Sequence, residues 1–356
     1  MSGQWSRAWV EVDLTAIVEN ARTAARVAGT RLLPVVKANA YGLGAAAVCT
    51  ALESLDPWGY GVATVDEGAA LRAAGVTRPV LVLMPVFPTL FGECERFGLT
   101  PTLADPHAIT QWTARGSRPF HVEIDTGMSR TGVRWDEIDQ LCAALDTPSF
   151  EGCYTQFHSA DRTDGSLERQ AERFLEAVGR LPRRPAVLHA ANSAAALRGP
   201  RYAYDLIRPG VFLYGGAAAP GLPAPAPVVS LRARVVAVRR LAAGDSVSYG
   251  ARWTAAAPTR LATLAIGYAD GVRRSLGREQ GRVLLGGGLC PVVGVVTMDF
   301  TTVDVGDRAV QVGDVATLIG ESDGGRITLE EYARAWDLLQ HDALTSLGPR
   351  LPRIYD

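Results

Sequence analysis

Along the first two-thirds of the chain, short and nearly unbroken apolar runs alternate with longer stretches whose apolar residues recur at helical spacing. The runs are LLPVVKA (32–38), GYGVATV (59–65), RPVLVLM (78–84), LTPTLAD (99–105), FHVEID (120–125), GCYTQF (152–157), AVLHAA (186–191) and AYDLIRP (203–209). Runs apolar at both parities suit strands covered on both faces. Between them, DLTAIVENARTAARVAG (13–29), VDEGAALRAAG (65–75) and SLERQAERFLEAVGRL (166–181) have helical periodicity. The last opens on Ser with Glu in its first turn, a favourable helix start. Eight strands alternating with helices over about 200 residues predict an α/β fold, a parallel (β/α)8 TIM-like barrel. A doubly wound sheet is the alternative, but its G-x-G-x-x-G turn is missing. The nearest string, YGLGAAA (41–47), lacks the third Gly.

The pattern changes at the Pro- and Ala-rich segment GLPAPAPVV (221–229). Beyond it, VSLRARVVAVRRL (229–241), RLATLAIGY (260–268), GRVLLGGG (281–288), CPVVGVVTMDFTTVDV (290–305) and DVATLIG (314–320) are β-rich and separated by Gly-containing turns. A second, mainly antiparallel β domain is expected over 229–356, after a barrel domain over 1–228. Residues 8–14, containing VEVDL, precede the barrel and are expected to join the β domain.

Charge and cysteine content narrow the function classes. Thirty-six basic and 37 acidic side chains leave a net charge of -1, against a nucleic-acid footprint or a polybasic membrane surface. The five cysteines are scattered without a C-x-x-C pair, against a zinc ribbon or a disulfide framework, and no metal site is expected. No signal pattern opens the chain and no apolar run approaches 18 residues, so a cytoplasmic protein without a membrane span is expected.

Several residues have chemical potential, each with a plainer alternative. Lys37 ends an apolar run where barrel active sites lie, and desolvation there lowers an amine pKa and suits Schiff-base chemistry. Taken alone, it is better read as a strand-end lysine that snorkels. Arg208 and Gly210 follow the eighth run and Ser193 the seventh, where this barrel type commonly binds phosphate. Ser193 alone reads equally as a helix cap. Tyr249, in SVSYGARWTA, is a base only if its neighbours lower its pKa, and is otherwise a packed turn aromatic.

The strings VVKANAYGLG, DTGMSRTGV, HAANSAAAL, RPGVFLYG, VSYGARWTA and IGYADG occur in this order, with the change of texture between the fourth and fifth. Together they resemble the alanine racemase family, pyridoxal 5'-phosphate (PLP) enzymes with a barrel and a β domain, over nearly the whole chain. The resemblance implies a homodimeric isomerase that interconverts L- and D-alanine, or a related small amino acid, by a two-base mechanism. It implies that Lys37 carries PLP and moves the proton on one face of the substrate α-carbon, while Tyr249 works on the other face from the second subunit. It places Arg208 against the pyridine nitrogen, where a guanidinium does not give up its proton, which disfavours transamination. Tyr41, Asn192, Ser193, Gly210 and Val211 match cofactor positions around the phosphate. Arg130 matches a residue contacting the cofactor's phenolic oxygen and the substrate carboxylate. Met298 and Asp299 match positions from the second subunit on the carboxylate side, and Tyr268 an aromatic on the approach to the site. His189 is a further supporting position. Lys37 is the only lysine in the chain, so it alone can carry PLP through an aldimine.

Three departures from the family pattern stand near this site. Glu123 occupies the place of a lysine, often carbamylated, that orients the Arg matching Arg130; a carboxylate there is expected to pair with Arg130 instead. Gln156 replaces the His of a Y-T-H-F motif that supports the pyridine-facing Arg. His158, two residues later and on the same side if the strand continues, either compensates or is a polar residue of the barrel mouth. His341 falls where a Tyr borders the substrate side chain and phosphate, and is expected to shift or broaden specificity, with serine the first candidate. Two other readings remain at this point: a PLP enzyme of aldolase type, and a non-catalytic PLP-binding protein. The second is disfavoured by the presence of the β domain and Tyr249.

Overall fold

The structure, a computed structural model, describes residues 6–274, 281–322 and 325–356. The chain begins with strand β1 (Ala8–Val12) and a helix over Leu14–Ala28. The Asp13 carboxylate caps that helix by accepting the Ala16 N–H, and its buried stripe is Ala16, Ile17, Asn20, Ala21, Ala24 and Ala28.

Eight parallel strands follow: β2 (Arg31–Leu32), β3 (Tyr60–Val62), β4 (Val80–Pro85), β5 (Thr100–Leu103), β6 (Phe120–Asp125), β7 (Phe150–Tyr154), β8 (Val187–His189) and β9 (Leu206–Ile207). Helices separate successive strands, including Ala45–Leu52, Val65–Ala73, Phe91–Phe97, Pro106–Thr113, Asp139–Leu145, Ser166–Gly179 and Ser193–Leu197. The sheet runs β2-β9-β8-β7-β6-β5-β4-β3. A parallel bridge between Val35 and Gly61 joins its two ends into the expected barrel. All eight apolar runs overlap a strand of this sheet.

Several strands are shorter than their apolar runs. The first regular pairing stops at Leu32 because Pro34 has no N–H to donate. The chain still tracks its neighbour, with Leu33 N–H donating to the Ile207 carbonyl (2.8 Å) and Val35 N–H to that of Pro209 (3.0 Å). β7 ends at Tyr154, so Gln156 and His158 lie beyond it rather than inside a strand. β9 is confined to Leu206–Ile207, after Tyr204 at φ 50°. The helix at 166 is not capped by its serine: Gly165 holds the N-cap position, and the Asp164 carboxylate accepts the Ser166 N–H.

The second sheet contains β10 (Val229–Leu241), β11 (Thr259–Leu264), β12 (Arg282–Leu285), β13 (Gly288–Pro291), β14 (Thr301–Asp304), β15 (Val315–Ser322) and β16 (Arg353–Tyr355). Its main path is β13-β12-β15-β10-β1-β16, with β11 paired to β10 and to β14. Only the β1–β16 pair along it is parallel. β1 pairs antiparallel with β10, from Ala8 opposite Ala233 to Val12 opposite Val229, as expected for VEVDL.

Asn20 ties the first helix to the segment between the two sheets. Its side chain is 3% exposed, donates to the carbonyls of Leu213 and Ala226, and accepts the Ala226 N–H. Asn20→Ala leaves those buried groups without partners and is expected to cost about 2–3 kcal/mol. The check is a lower urea midpoint with an unchanged slope.

Candidate active site

The C-terminal ends of the barrel strands open onto a cavity of about 640 Å³. Lys37, Tyr41, Glu123, Arg130, Gln156, His158, Asn192, Ser193, Arg208, Gly210, Val211 and His341 all line it. Because β2 and β9 are neighbours, the segments leading out of them carry Lys37 and Arg208 to the same side of the mouth.

Lys37 does not lie at the end of a regular strand. It enters a left-handed turn in which Ala38, Asn39, Ala40 and Tyr41 have φ between 52° and 55°. For non-Gly residues this conformation costs about 1–2 kcal/mol each, so other bonds must hold it. Glu67 supplies two of them. Its carboxylate accepts the Ala38 N–H and the Ala63 N–H, both at 2.7 Å. The Asn39 side chain accepts the Ala45 N–H at 2.9 Å. Sequence reasoning missed Glu67; its visible signal was an acidic residue in the first turn of the helix after β3.

Burial and the nearby Arg130 guanidinium lower the Lys37 pKa from its ordinary 10.5, against a smaller opposing effect of Glu67. Arg208 is 4% exposed, and burial lowers its pKa to about 10, which leaves it cationic at neutral pH. One terminal nitrogen donates to His189 Nδ1 (2.9 Å) and the His189 carbonyl (2.7 Å). The other donates to the Thr155 carbonyl (2.7 Å), with Gln156 Oε1 and the Ala190 carbonyl each at 3.3 Å. The guanidinium carbon also lies 4.9 Å from the centroid of the Tyr154 ring. Among the described residues, Nε–H is the donor of Arg208 left without a partner.

Gln156 therefore does support Arg208, through a neutral amide oxygen. His158 does not compensate for the missing imidazole. Its Nδ1 bonds Ser159 Oγ at 2.7 Å and its N–H donates to Gln170, because the strand ends before it and the side chain turns to the rim. Glu123 faces Arg130 at 3.9 Å, an ion pair without a hydrogen bond, while its other oxygen accepts the Thr131 hydroxyl at 2.6 Å. Burial outweighs both effects and raises its pKa.

On the opposite wall, Ser193 Oγ accepts the N–H groups of Gly210 (2.9 Å) and Phe212 (3.4 Å). A Cβ on Gly210 would come within 2.4 Å of the Tyr41 hydroxyl, so this close approach needs glycine. Asn192 is committed to structure, capping Ala195 and donating to the Phe157 carbonyl. The His341 ring centroid is 5.9 Å from that of Tyr41, and burial lowers its pKa.

Tyr249, Tyr268, Met298 and Asp299 do not line this cavity. They are surface residues of the β-domain side, with Tyr249 70% exposed on its turn. Asp299 is held by Arg350 at 2.6 Å, and Arg350 also contacts the buried Asp270. Among the described residues, no cluster of His, Cys, Asp or Glu could hold a metal ion, and no helix is long and apolar enough to cross a membrane.

Both halves of the chain have known counterparts. Residues 12–218 match the family model for the alanine racemase N-terminal domain, and residues 228–355 that for the C-terminal domain. The alanine racemase of Symbiobacterium thermophilum is 40% identical, over 98% of this chain and 96% of its own. The crystal structure of alanine racemase from E. faecalis aligns at a TM-score of 0.91 with 33% identity, covering 99% of both chains. That from Bartonella henselae, with covalently bound pyridoxal phosphate, aligns at 0.90 with 31% identity, over 99% of this chain and 100% of that one. Such agreement, in fold and in the order of both domains, makes the protein an isomerase of the amino-acid racemase class. More narrowly, the chain belongs to the alanine racemase family.

As Lys37 is the only lysine, it gives the only ε-amine signal, to be told apart only from the α-amino terminus. Reductive ¹³C-methylation of the cofactor-free protein, followed by NMR, is expected to report an ε-amine pKa below 10.5. Arg130→Met is expected to raise it.

Proposed function

We propose that this protein is a PLP-dependent racemase of alanine or a related small amino acid, acting in the cytoplasm as a homodimer with shared active sites. We divide it into a cofactor-binding barrel over 1–228 and a β domain over 229–356, with residues 8–14 joining the latter. The observation that carries the reading is the placement of the only lysine in one cavity with a buried, still cationic arginine that has a single donor to spare.

The residues fit PLP. A neutral acceptor such as a pyridine nitrogen suits the free Nε–H of Arg208. An anion suits the opposite wall, where the Ser193 hydroxyl retains its own hydrogen, the Tyr41 hydroxyl sits against Gly210, and Val211 follows. Asn192 shapes this wall through its helix cap rather than by a free donor. When bound, PLP supplies an electron sink for the pair left at the α-carbon after deprotonation.

The remaining steps belong to the chain's own groups. Lys37 Nζ takes or returns the proton on one face, and its lowered pKa keeps more of the amine in the basic form. The partner subunit's Tyr249 takes or returns it on the other face. High exposure and separation from the cavity of its own chain support this assignment. Tyr268, Met298 and Asp299 would accompany it, with Arg350 holding Asp299 in place. Arg130 binds the substrate carboxylate, with Glu123 limiting its excess charge. Arg208 keeps its proton, donating a hydrogen bond without transferring charge.

His341 supports a broadened substrate range. Its ring lines the cavity beside Tyr41, and its lowered pKa leaves a neutral imidazole able to accept from a substrate hydroxyl.

α-Proton exchange in deuterated water is expected for both enantiomers of one small amino acid, with inversion seen by chiral chromatography. Lys37→Ala should abolish exchange from both, while Tyr249→Phe should impair inversion. Exchange without inversion would contradict a racemase. For specificity, His341→Tyr is expected to lower serine turnover relative to alanine by roughly tenfold; an unchanged ratio rejects a role for this position in substrate choice.

A further inference from the structure

Behind Arg208, a chain of polar side chains crosses the barrel interior. His189 Nε2 is 2.9 Å from His121 Nδ1, and His121 Nε2 is 3.1 Å from Glu151 Oε2. Both imidazoles are 0% exposed, whereas the Glu151 side chain is 31% exposed. Glu151 stands near the start of β7 and the cavity at the ends of the strands, so the carboxylate is at the opposite end of the barrel. The rings are confined by packing. Tyr154 stacks on His189 at 4.8 Å between centroids, and Trp58 lies 5.7 Å from His121. A Cβ on Gly152, the register partner of His121, would come within 2.5 Å of the ring, so the position depends on glycine.

The geometry sets the direction of every bond in this chain. The guanidinium has no lone pair to offer, so His189 Nδ1 must accept from Arg208. A neutral imidazole carries one hydrogen, which places the His189 proton on Nε2, aimed at His121 Nδ1. That nitrogen must then accept, which places the His121 proton on Nε2, aimed at the Glu151 carboxylate. An N–H at His121 Nδ1 would face the N–H of His189, and turning His189 over would face an N–H toward Arg208. Burial and the Arg208 charge hold the His189 pKa well below its ordinary value, consistent with a neutral ring.

We propose that Glu151 and His121 are positioning residues for Arg208, acting through His189: the carboxylate accepts the His121 Nε2–H and so anchors from the far end the same tautomers that Arg208 requires at the near end, keeping both imidazole acceptors turned toward the guanidinium. This rests on the reading of Arg208 as the cofactor-facing cation. It extends that reading across the barrel, to a residue with no contact to the cavity.

The chain has five histidines, which makes ¹⁵N-histidine NMR of the PLP-loaded protein practicable. Wild type should show His121 and His189 both as neutral Nε2–H tautomers; an Nδ1–H tautomer at either position overturns the proposal without any variant. Glu151→Ala leaves the chain anchored only at Arg208; a fraction of molecules should then reverse both tautomers and release Arg208 from His189, lowering kcat by about tenfold, the scale of loss seen for outer supporting groups, with KM within about twofold. Glu151→Gln, which keeps an acceptor oxygen, should restore the wild-type tautomers and most of kcat. Glutamine as damaging as alanine overturns the acceptor role. Unchanged tautomers in Glu151→Ala overturn the relay itself. Tautomers that change while kcat does not would overturn the positioning role of Glu151 while leaving the racemase reading, tested separately by α-proton exchange, untouched.

Discussion

The lateral contact between the first and last strands of the barrel sets up the rest of the site. β2 and β9 pair for only two residues, yet Leu33 and Val35 continue the hydrogen bonding past Pro34 and carry the alignment to the mouth. That alignment brings residue 37 and residue 208 to one cavity across nearly half the chain. The Val35–Gly61 bridge then closes the barrel on the other side of the same segment. Lys37 thus leaves a position held from both sides, and the left-handed turn after it can be strained because Glu67 accepts the Ala38 N–H and the Asn39 side chain ties the turn to the Ala45 N–H.

Arg208 shows how the barrel accommodates a charge that it does not neutralise directly. A buried guanidinium is costly unless its donors are satisfied. Here four carbonyl or amide oxygens, an imidazole nitrogen and an aromatic face replace water, with no carboxylate in hydrogen-bonding contact. A direct carboxylate partner would raise the electron density of the guanidinium's surroundings and occupy its last donor. Neutral partners instead leave one N–H of this cavity-lining arginine without a partner among the described residues and the charge undiminished.

The three departures from the family pattern have different physical weight. At position 156, an amide oxygen does for Arg208 what any neutral acceptor can do, so the hydrogen bond survives while the titratable imidazole is lost. At position 123, a carboxylate keeps the negative charge near Arg130 but bonds Thr131 more closely, so the electrostatic effect is retained at longer range. At position 341, the change faces the cavity itself, where it acts on whatever binds there.

Both fold units, their order, the return of residues 8–12 to the second sheet, and the cavity-lining positions from Lys37 to His341 were legible in the sequence. Strand periodicity and turn chemistry are local properties, and the motifs are short, contiguous strings whose spacing survives without coordinates. Tertiary structure alone decided what depends on packing between distant segments. The apolar run at 152–157 looked uniform, but the chain leaves the sheet at Tyr154, which frees Gln156 to reach Arg208 and turns His158 to Ser159. Glu67 gave only the signal of an acidic helix start, since its role comes from two backbone donors that folding places nearby. His121 and Glu151 carried no motif; they matter because parallel strand register sets His121 against Gly152 and aims its ring at His189. Hydrogen-bond direction is a property of the assembled barrel, and no local pattern encodes it.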